Sequence, residues 1–195
     1  MTETTISSAS ASGAREEQIL SAAFEAFATY GFRKTSMDDI ARIAGMSRSA
    51  LYLSYANKED ILQTLARTTL AQTLAAAKDV LEANDGTPEQ VLLAAFIAKD
   101  GTFMESVLST PHAREVVETG FTATSQIVAE AEATMRGLLA EWLSRHGVPK
   151  SLGTPEDVAA SIVSALHGLK ATSPDFASYQ KGQQRLARIF ALALG

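Results

Sequence analysis

The fold is decided by a short stretch near the N-terminus, IARIAGMSRSALYLSY at residues 40–55. The stretch holds two apolar patterns, each about two helical turns long, with Gly45 and Ser47 between them. Isolated helices of this length are not stable in water, so the predicted pair must pack together and on a neighbouring helix. Gly45 suits a tight turn, and Ser47 is a typical N-cap. The spacing predicts a helix-turn-helix, although a plain corner between two packed helices has a similar pattern.

Helices are predicted over nearly all of the chain. Ala and Leu are abundant, alternation of β-branched residues is scarce, and no convincing strand pattern is found. Gly31 is placed to end the first helix, and Ser36 with Asp39 forms a capping-box pattern at the start of the second. The pattern predicts an all-α chain of about nine helices, with a break near Gly120 or Gly137 left open. The predicted ranges are 15–30, 37–44, 48–55, 58–82, 88–99, 102–109, 111–146, 154–171 and 175–194.

Composition divides the chain into three predicted segments. Residues 1–14 are mostly Ser, Thr, Ala and Glu, which favours a disordered tail. Residues 15–60 form the predicted helix-turn-helix domain, and residues 61–195 form a second helical domain. The chain has no cysteine, which excludes disulfides and thiolate chemistry. It has no secretory signal pattern and no apolar run near the roughly 20 residues that span a bilayer, so a cytoplasmic protein without a membrane partner is expected.

The charge distribution is uneven. The formal net charge is −5, but the window 31–58 has five basic and two acidic residues. Five minus two gives +3 there and leaves −8 for the remainder of the chain. A local basic surface on an acidic body is compatible with contact to phosphate, although a solvated basic face is commoner. The charged residues of the window are Arg33, Lys34, Arg42, Arg48 and Lys58, with Asp38 and Asp39.

Several residues in and around the opening stretch form a characteristic set. They are Tyr30-Gly31-Phe32, Thr35-Ser36, Asp39-Ile40-Ala41, Ala44-Gly45, Ser47, Leu51-Tyr52, Tyr55 and Lys58-Glu59. In this combination, the segment from Tyr30 to Leu62 resembles the DNA-binding domain of the TetR family of bacterial transcriptional regulators. The sequence departs from the family pattern at Ser49-Ala50, Leu53-Ser54 and Ala56, which bears on base specificity. The rest of the chain resembles the family only in being helical and of similar length.

The resemblance implies a function and a set of DNA contacts. It implies a three-helix DNA-binding domain, then a helical domain that binds a ligand and forms a dimer. The expected protein is a homodimeric repressor, released from a palindromic operator by a small, largely apolar effector. Arg48 is placed to reach base edges, Tyr52 resembles the family tyrosine that contacts phosphate, and Tyr55 is expected in the core. The expected DNA-binding residues are Lys34, Thr35, Ser47, Arg48, Ser49, Tyr52, Leu53 and Lys58.

The second domain is expected to supply the dimer interface and the effector site. For each candidate the alternative is an ordinary position in the monomer's own core. The candidate interface residues are Val158, Ile162, Leu166, Leu169, Leu186, Ile189 and Phe190. The candidate pocket residues are Phe96, Phe103, Met104, His112, Phe121, Gln126, Trp142 and His167.

Catalysis has little support in the sequence. There is no nucleophile elbow, no phosphate-binding glycine loop and no Cys/His spacing of a metal site, so no enzyme activity, metal or cofactor is expected. One alternative is a helical small-molecule-binding protein or enzyme in which the helix-turn-helix is only a packing motif. Another is a DNA-binding protein without a small-molecule effector.

Overall fold

The computed structural model describes residues 4–108 and 124–195, without the side chains of residues 4–12, 101–103 and 107. These residues form eight α-helices and one 3-10 turn, and no strand occurs among them. The prediction of an all-α fold is confirmed. The helices are α1 (Thr4–Tyr30), α2 (Met37–Ile43), α3 (Arg48–Tyr52), α4 (Lys58–Ala83), α5 (Pro88–Leu108), α6 (Ser125–His146), α7 (Pro155–Thr172) and α8 (Phe176–Leu194), with the 3-10 turn at Lys150–Leu152.

The chain forms two compact units, which divide at Arg67 and Thr68 inside α4. We call them the N-terminal unit, which contains α1 to α3, and the C-terminal unit, which contains α5, α7, α8 and all but the first residue of α6. The division lies later than the predicted boundary at residue 60. The reason is that Ile61 is fully buried in the core of the N-terminal unit.

The N-terminal unit is built on one apolar core and on local caps. Gly45 has a φ of 64°, and the Met46 N–H donates to the Ala41 carbonyl at 3.0 Å, which closes the turn between α2 and α3. The capping box at Ser36 and Asp39 is present, as predicted. The Ser47 hydroxyl accepts from the Ala50 N–H at 3.1 Å, which confirms Ser47 as the N-cap of α3. The fully buried side chains of this core include Ile19, Ala23, Ile40, Leu51 and Ile61.

The structure corrects three predicted helix limits. Residues 4–14 belong to α1 instead of a disordered tail, because extending an existing helix costs far less than nucleating one. Gly101 lies within α5 and does not separate two helices. Gly137 likewise lies inside the continuous α6, while Gly120 and the predicted helix start at residue 111 lie outside the described residues. Glycine lowers helix propensity by about 1 kcal/mol, which packing of the flanking turns can offset.

The C-terminal unit has a second apolar core, in which α8 packs against both α5 and α7. Trp142 of α6 is fully buried there, and its Nε1 donates to the Asn84 side-chain oxygen at 2.9 Å. A capping box formed by Thr154 and Asp157 starts α7, as the Thr-Pro signal predicts. Across both described ranges, no helix combines the length and the apolar character that crossing a membrane requires.

Candidate nucleic-acid interface

The outer face of α3 and its C-cap is exposed and includes two large apolar side chains. Leu51 is fully buried, which turns its neighbours Tyr52 and Leu53 outward. The exposed fractions of Tyr52 and Leu53 are 43% and 86%. Arg48 and Ser49 are exposed on the same short helix. The predicted grouping of these four residues on one face is therefore present, and such a face has the chemistry to meet base edges, thymine methyl groups and phosphate.

Helix α3 is held in place by α1 through contacts that the sequence did not indicate. The Arg15 guanidinium donates to the Ala50 carbonyl at 2.7 Å, and the Gln18 amide donates to the Ala44 carbonyl at 2.7 Å. These two carbonyls belong to α3 and to the end of α2. A five-residue helix has little stability of its own, so these long-range bonds help to fix the exposed face.

Arg48 has two neighbours that orient its guanidinium. Its Nη1 donates to Asp38 Oδ2 at 3.1 Å, and its guanidinium carbon lies 5.5 Å from the centre of the Tyr52 ring. The Tyr52 hydroxyl and then the Asp38 carboxylate raise the pKa of Arg48, so the side chain stays cationic. Both members of the ion pair are largely exposed, and water screens such a pair. Arg48 can therefore exchange Asp38 for a phosphate or a guanine at little cost.

The structure corrects the predicted phosphate contact of Thr35. Its side chain is 2% exposed, and its hydroxyl donates to the Gly31 carbonyl at 2.8 Å. Its backbone N–H also donates to Gly31, at 3.2 Å. Both donors of Thr35 are used inside the unit, so this residue stabilises the turn after α1.

Lys58, which was predicted to contact phosphate, makes structural contacts inside the unit. Its ammonium donates to the carbonyls of Phe32 at 2.8 Å, Arg33 at 3.1 Å and Thr35 at 2.9 Å. An ammonium has three hydrogens, and these three carbonyls use all of them. The ammonium also lies 4.7 Å from the centre of the Phe32 ring. Lys58 therefore ties the loop before α2 to the start of α4.

The remaining predicted DNA contacts are exposed. Lys34 lies in the loop between α1 and α2, and Ser47 lies at the start of α3 with its hydroxyl 3.1 Å from that of Ser49. Their contacts to DNA stay predictions. Tyr55 is partly buried against the N-terminal core, as expected, and its hydroxyl donates to Glu16 at 3.2 Å.

The predicted dimer residues divide between core and surface. Val158, Ile162 and Leu166 are buried in the monomer's own core, which corrects their prediction as interface residues. Leu169, Leu186 and Phe190 are partly buried, and Ile189 is 52% exposed. Leu192, which was not predicted, is 74% exposed on α8. A shallow apolar groove of about 150 Å³ lies nearby, lined by Leu152, Val158, Ser161, Ile189, Phe190, Ala193 and Leu194.

The predicted pocket residues do not converge on one site among the described side chains. Phe96, Met104 and Trp142 are buried, with Phe96 and Trp142 inside the apolar core. Gln126 is exposed and donates to Glu130 at 3.2 Å. His167 is exposed, with its Nδ1 2.7 Å from Glu132 Oε1. The Phe103 side chain, His112 and Phe121 lie outside the described residues.

A buried polar cluster in the C-terminal unit was missed by the sequence analysis. Lys99 and Lys170 place their ammonium groups 3.3 Å and 2.7 Å from Asp100 Oδ1. The Tyr179 hydroxyl donates to Asp100 Oδ2 at 2.8 Å, and the Gln183 amide donates to the Phe96 carbonyl at 3.1 Å. The available signal was the adjacent charged pair, Lys99 and Asp100, inside the apolar run of α5. We call Lys99, Asp100, Lys170, Tyr179 and Gln183 the lysine–aspartate cluster.

Burial and charge shift the acid–base properties of this cluster. Burial lowers the pKa of Lys99, and the charge of Lys170 lowers it further. The charge of Asp100 raises this pKa but does not cancel the decrease. Burial favours a higher pKa for Asp100, but the charges of Lys170 and Lys99 outweigh it, so this pKa is lowered. Burial and the nearby carboxylate raise the pKa of Tyr179, which remains a hydrogen-bond donor. In the described part of the chain, no group of His, Cys, Asp or Glu side chains is arranged to hold a metal ion.

Together, the exposed α3 and its supports define a helix-turn-helix protein with a separate helical unit. Residues 19–65 match the model of the family described as bacterial regulatory proteins, tetR family. A curated relative, described as the uncharacterized HTH-type transcriptional regulator YhgD of Bacillus subtilis (strain 168), is 29% identical over 68 residues. The match covers 35% of this chain and 36% of that protein, so it spans about a third of the relative's length.

Solved structures share the fold over most of the chain. A transcriptional regulator from Rhodococcus sp. Rha1 has a TM-score of 0.68 at 21% identity, covering 89% of this chain and 94% of its own. SmeT, the repressor of the Stenotrophomonas maltophilia multidrug efflux pump SmeDEF, has a TM-score of 0.65 at 19% identity, covering 91% and 88%. The TetR family transcriptional regulator PfmR from Thermus thermophilus has a TM-score of 0.59 at 22% identity, covering 90% and 96%.

Residues 19–65 therefore match the domain model of the tetR family, and the chain shares its fold with solved transcriptional regulators. The recognised segment contains the whole of α2 and α3 and the beginning of α4.

Proposed function

We propose that this protein is a homodimeric, cytoplasmic transcriptional repressor, not an enzyme, that binds a palindromic operator and is released by a small molecule. The observation that carries the proposal is the exposed face of α3, with Arg48, Ser49, Tyr52 and Leu53, on a tetR-family helix-turn-helix. The second short helix of this motif enters the major groove of DNA. We assign DNA binding to the N-terminal unit, and effector binding and dimer formation to the C-terminal unit.

The positions of the basic residues support different roles for Arg48 and Lys34 in binding DNA. Arg48 is held at the start of α3 by an exposed ion pair that DNA can replace. Lys34 is exposed in the neighbouring loop and suits contact with phosphate. Phosphate contacts position a protein on DNA, while contacts to base edges select the sequence. Arg48 is therefore the residue that we expect to discriminate between bases, and Lys34 and Tyr52 are expected to support binding to any sequence.

DNA binding is tested by fluorescence anisotropy with DNA from upstream of the protein's own gene. We expect saturable binding to a palindrome, with Arg48→Ala reducing the preference over scrambled DNA by about tenfold or more. Tyr52→Phe is expected to weaken binding to both DNAs alike. Arg136→Ala removes an exposed arginine of α6 and serves as the charge-matched control. Equal, weak binding to all fragments of a genomic selection would contradict the proposal.

The dimer is proposed to form through the exposed apolar side chains near the C-terminus. Leu152, Ile189 and Leu192 are exposed, and Ile189 lines the apolar groove with the end of α8. A second copy is the natural cover for such a surface, because a palindromic operator requires two-fold symmetry. We expect Leu192→Glu to shift the protein to monomers in sedimentation velocity and to weaken operator binding. Gln184→Glu, which adds the same charge at an exposed position of α8, is expected to remain dimeric.

A further inference from the structure

The lysine–aspartate cluster contains a second cation, Lys99, that its single aspartate does not need as a partner. Asp100 is satisfied by Lys170 at 2.7 Å and by the Tyr179 hydroxyl at 2.8 Å. Lys99 adds only a longer contact of 3.3 Å to the same oxygen that Lys170 uses. Within the described residues, this is the one hydrogen bond made by the Lys99 ammonium, which has three hydrogens to donate. The Lys99 side chain is 7% exposed, so water has little access to the other two.

The charges in the cluster do not balance. Lys99 and Lys170 are two cations, and Asp100 is the single anion among the five side chains. Glu132 of α6 also acts on Lys99 through its charge, but its Oε1 lies 2.7 Å from His167 Nδ1. Glu132 is therefore bound to a neighbouring side chain, and it is 30% exposed to water. Without Glu132, the five side chains of the cluster carry an excess of one positive charge.

A structural role does not account for Lys99. Burying an ammonium is costly unless a partner and further hydrogen bonds compensate for its lost hydration. The Lys170–Asp100 pair with Tyr179 would be complete without a second lysine. Phe96, three residues before Lys99 and therefore on the same side of α5, is a buried apolar side chain. Such a buried, under-bonded cation beside an apolar side chain matches the requirements of a molecule with one negative charge and an apolar body.

We propose that Lys99, supported by the Asp100–Lys170–Tyr179 network, binds the acidic group of the effector, and that the effector is a carboxylate with an apolar body. This inference rests on the proposed function in that it names the chemical class of the effector. The incoming carboxylate would accept hydrogen bonds from the unused hydrogens of Lys99 and would neutralise the excess charge. Asp100 would continue to hold Lys170 and Tyr179.

The test compares carboxylates with alcohols of the same length by isothermal titration calorimetry. The probes are hexanoate, octanoate and decanoate against hexanol, octanol and decanol, each with the full-length protein. We expect at least one carboxylate to bind about tenfold or more tightly than its alcohol, because a charge-assisted hydrogen bond is gained. In Lys99→Met the carboxylate should fall to the affinity of the alcohol. Lys99→Arg, which keeps the cation, should retain part of the preference.

The control is Lys78→Met, which removes a lysine that is 54% exposed on α4 and pairs with Glu82 at 3.6 Å. It should leave the preference for the carboxylate unchanged. Circular dichroism establishes that each variant is folded, and Lys99→Met is expected to fold because it removes a buried cation. Equal affinity for acids and alcohols, no binding of any carboxylate, or an undiminished preference in folded Lys99→Met would overturn the inference.

Measuring operator binding without carboxylates separates this inference from the proposed function. Specific DNA binding without any preference for carboxylates would refute only the effector class. A carboxylate preference that depends on Lys99, in a protein that binds no DNA specifically, would support the anion site and refute the repressor function. Release of operator DNA by the preferred carboxylate in the unmodified protein, but not in Lys99→Met, is the result expected if both are correct.

Discussion

In the N-terminal unit the charged side chains lie mainly at the surface, whereas the C-terminal unit places two lysines and an aspartate among its helices. Arg48 and Asp38 are more than half exposed, so their pairing is screened by water. Lys99 and Asp100 are almost fully buried, so each depends on its protein partners. The comparison suggests different uses of charge. The surface pair can open for a partner such as DNA, while the buried cluster is the proposed site for an entering carboxylate.

The largest expected effect comes from breaking the buried cluster at its anion. Asp100→Asn would leave Lys99 and Lys170 without their counter-charge, so we expect the free energy of unfolding to fall by about 3–5 kcal/mol. Lys99→Met removes the excess cation and should instead increase stability, by about 1 kcal/mol. Urea unfolding monitored by circular dichroism measures both changes. Changes of opposite sign in the free energy of unfolding would strengthen the contrast with the surface pair. Equal decreases for the two variants would show that Lys99 is a structural partner of Asp100.

A second comparison is between a buried leucine and an exposed leucine of the same helical turn. Leu51 is fully buried beneath α3, and Leu53 is the exposed C-cap residue of that helix. We expect Leu51→Ala to destabilise the N-terminal unit by about 3 kcal/mol and to abolish DNA binding. Leu53→Ala should change the free energy of unfolding by less than about 0.5 kcal/mol, because removing this exposed side chain exposes no buried apolar surface to water. Chemical unfolding and anisotropy on the same samples test this, and a loss of stability in Leu53→Ala would mean that Leu53 packs against the chain.

Lys58 and Lys34 test whether a basic residue of the N-terminal unit serves the fold or the DNA. Lys58→Met leaves three carbonyls without their shared donor, and we expect a loss of about 2 kcal/mol in the free energy of unfolding. Lys34→Met should leave stability within about 0.5 kcal/mol but should weaken binding to all DNA and reduce its salt dependence. Urea unfolding and anisotropy at two salt concentrations separate the two effects. The assignment of Lys58 would fail if its replacement left stability intact.

The smallest expected effects concern the two capping boxes, one in each unit. Ser36→Ala and Thr154→Ala should each cost about 1 kcal/mol of stability in urea unfolding. Hydrogen bonds from Ser36, and those from the backbone and side chain of Thr154, lower the pKa values of Asp39 and Asp157 respectively. A lowered pKa means that the stabilisation is present above the ordinary value of about 4 and is lost as the pH falls through the lowered value.

An acid titration of helicity followed by circular dichroism tests this dependence. The difference in stability between each cap variant and the parent should shrink as the pH falls from about 5 to about 2. A difference that stays constant over that range would show that the carboxylates are not coupled to the caps. Because both boxes have the same pattern, similar results are expected in the two units.

Much of the N-terminal unit could be predicted from the sequence because its signals are local. Ser36, Asp39, Gly45 and Ser47 act within four residues of themselves, so their types and spacing indicate caps and a turn. The exposed face of α3 followed from the burial of Leu51. The internal hydrogen bonds of Thr35 and Lys58 were not predicted, for a physical reason. Hydroxyl and ammonium donors near a helix N-terminus can meet either a phosphate or a backbone carbonyl, and the sequence does not distinguish these acceptors.

The sequence by itself therefore determined the all-α fold, the helix-turn-helix and its exposed residues, since these depend on short-range spacing. Only the tertiary structure decided that Val158, Ile162 and Leu166 are core residues, and that Lys99, Asp100 and Tyr179 meet. Asp100 and Tyr179 are 79 residues apart in the chain, and their contact exists only because α5 packs on α8. An apolar stripe or a charged pair has the same sequence pattern whatever covers it, so its partner is determined by packing.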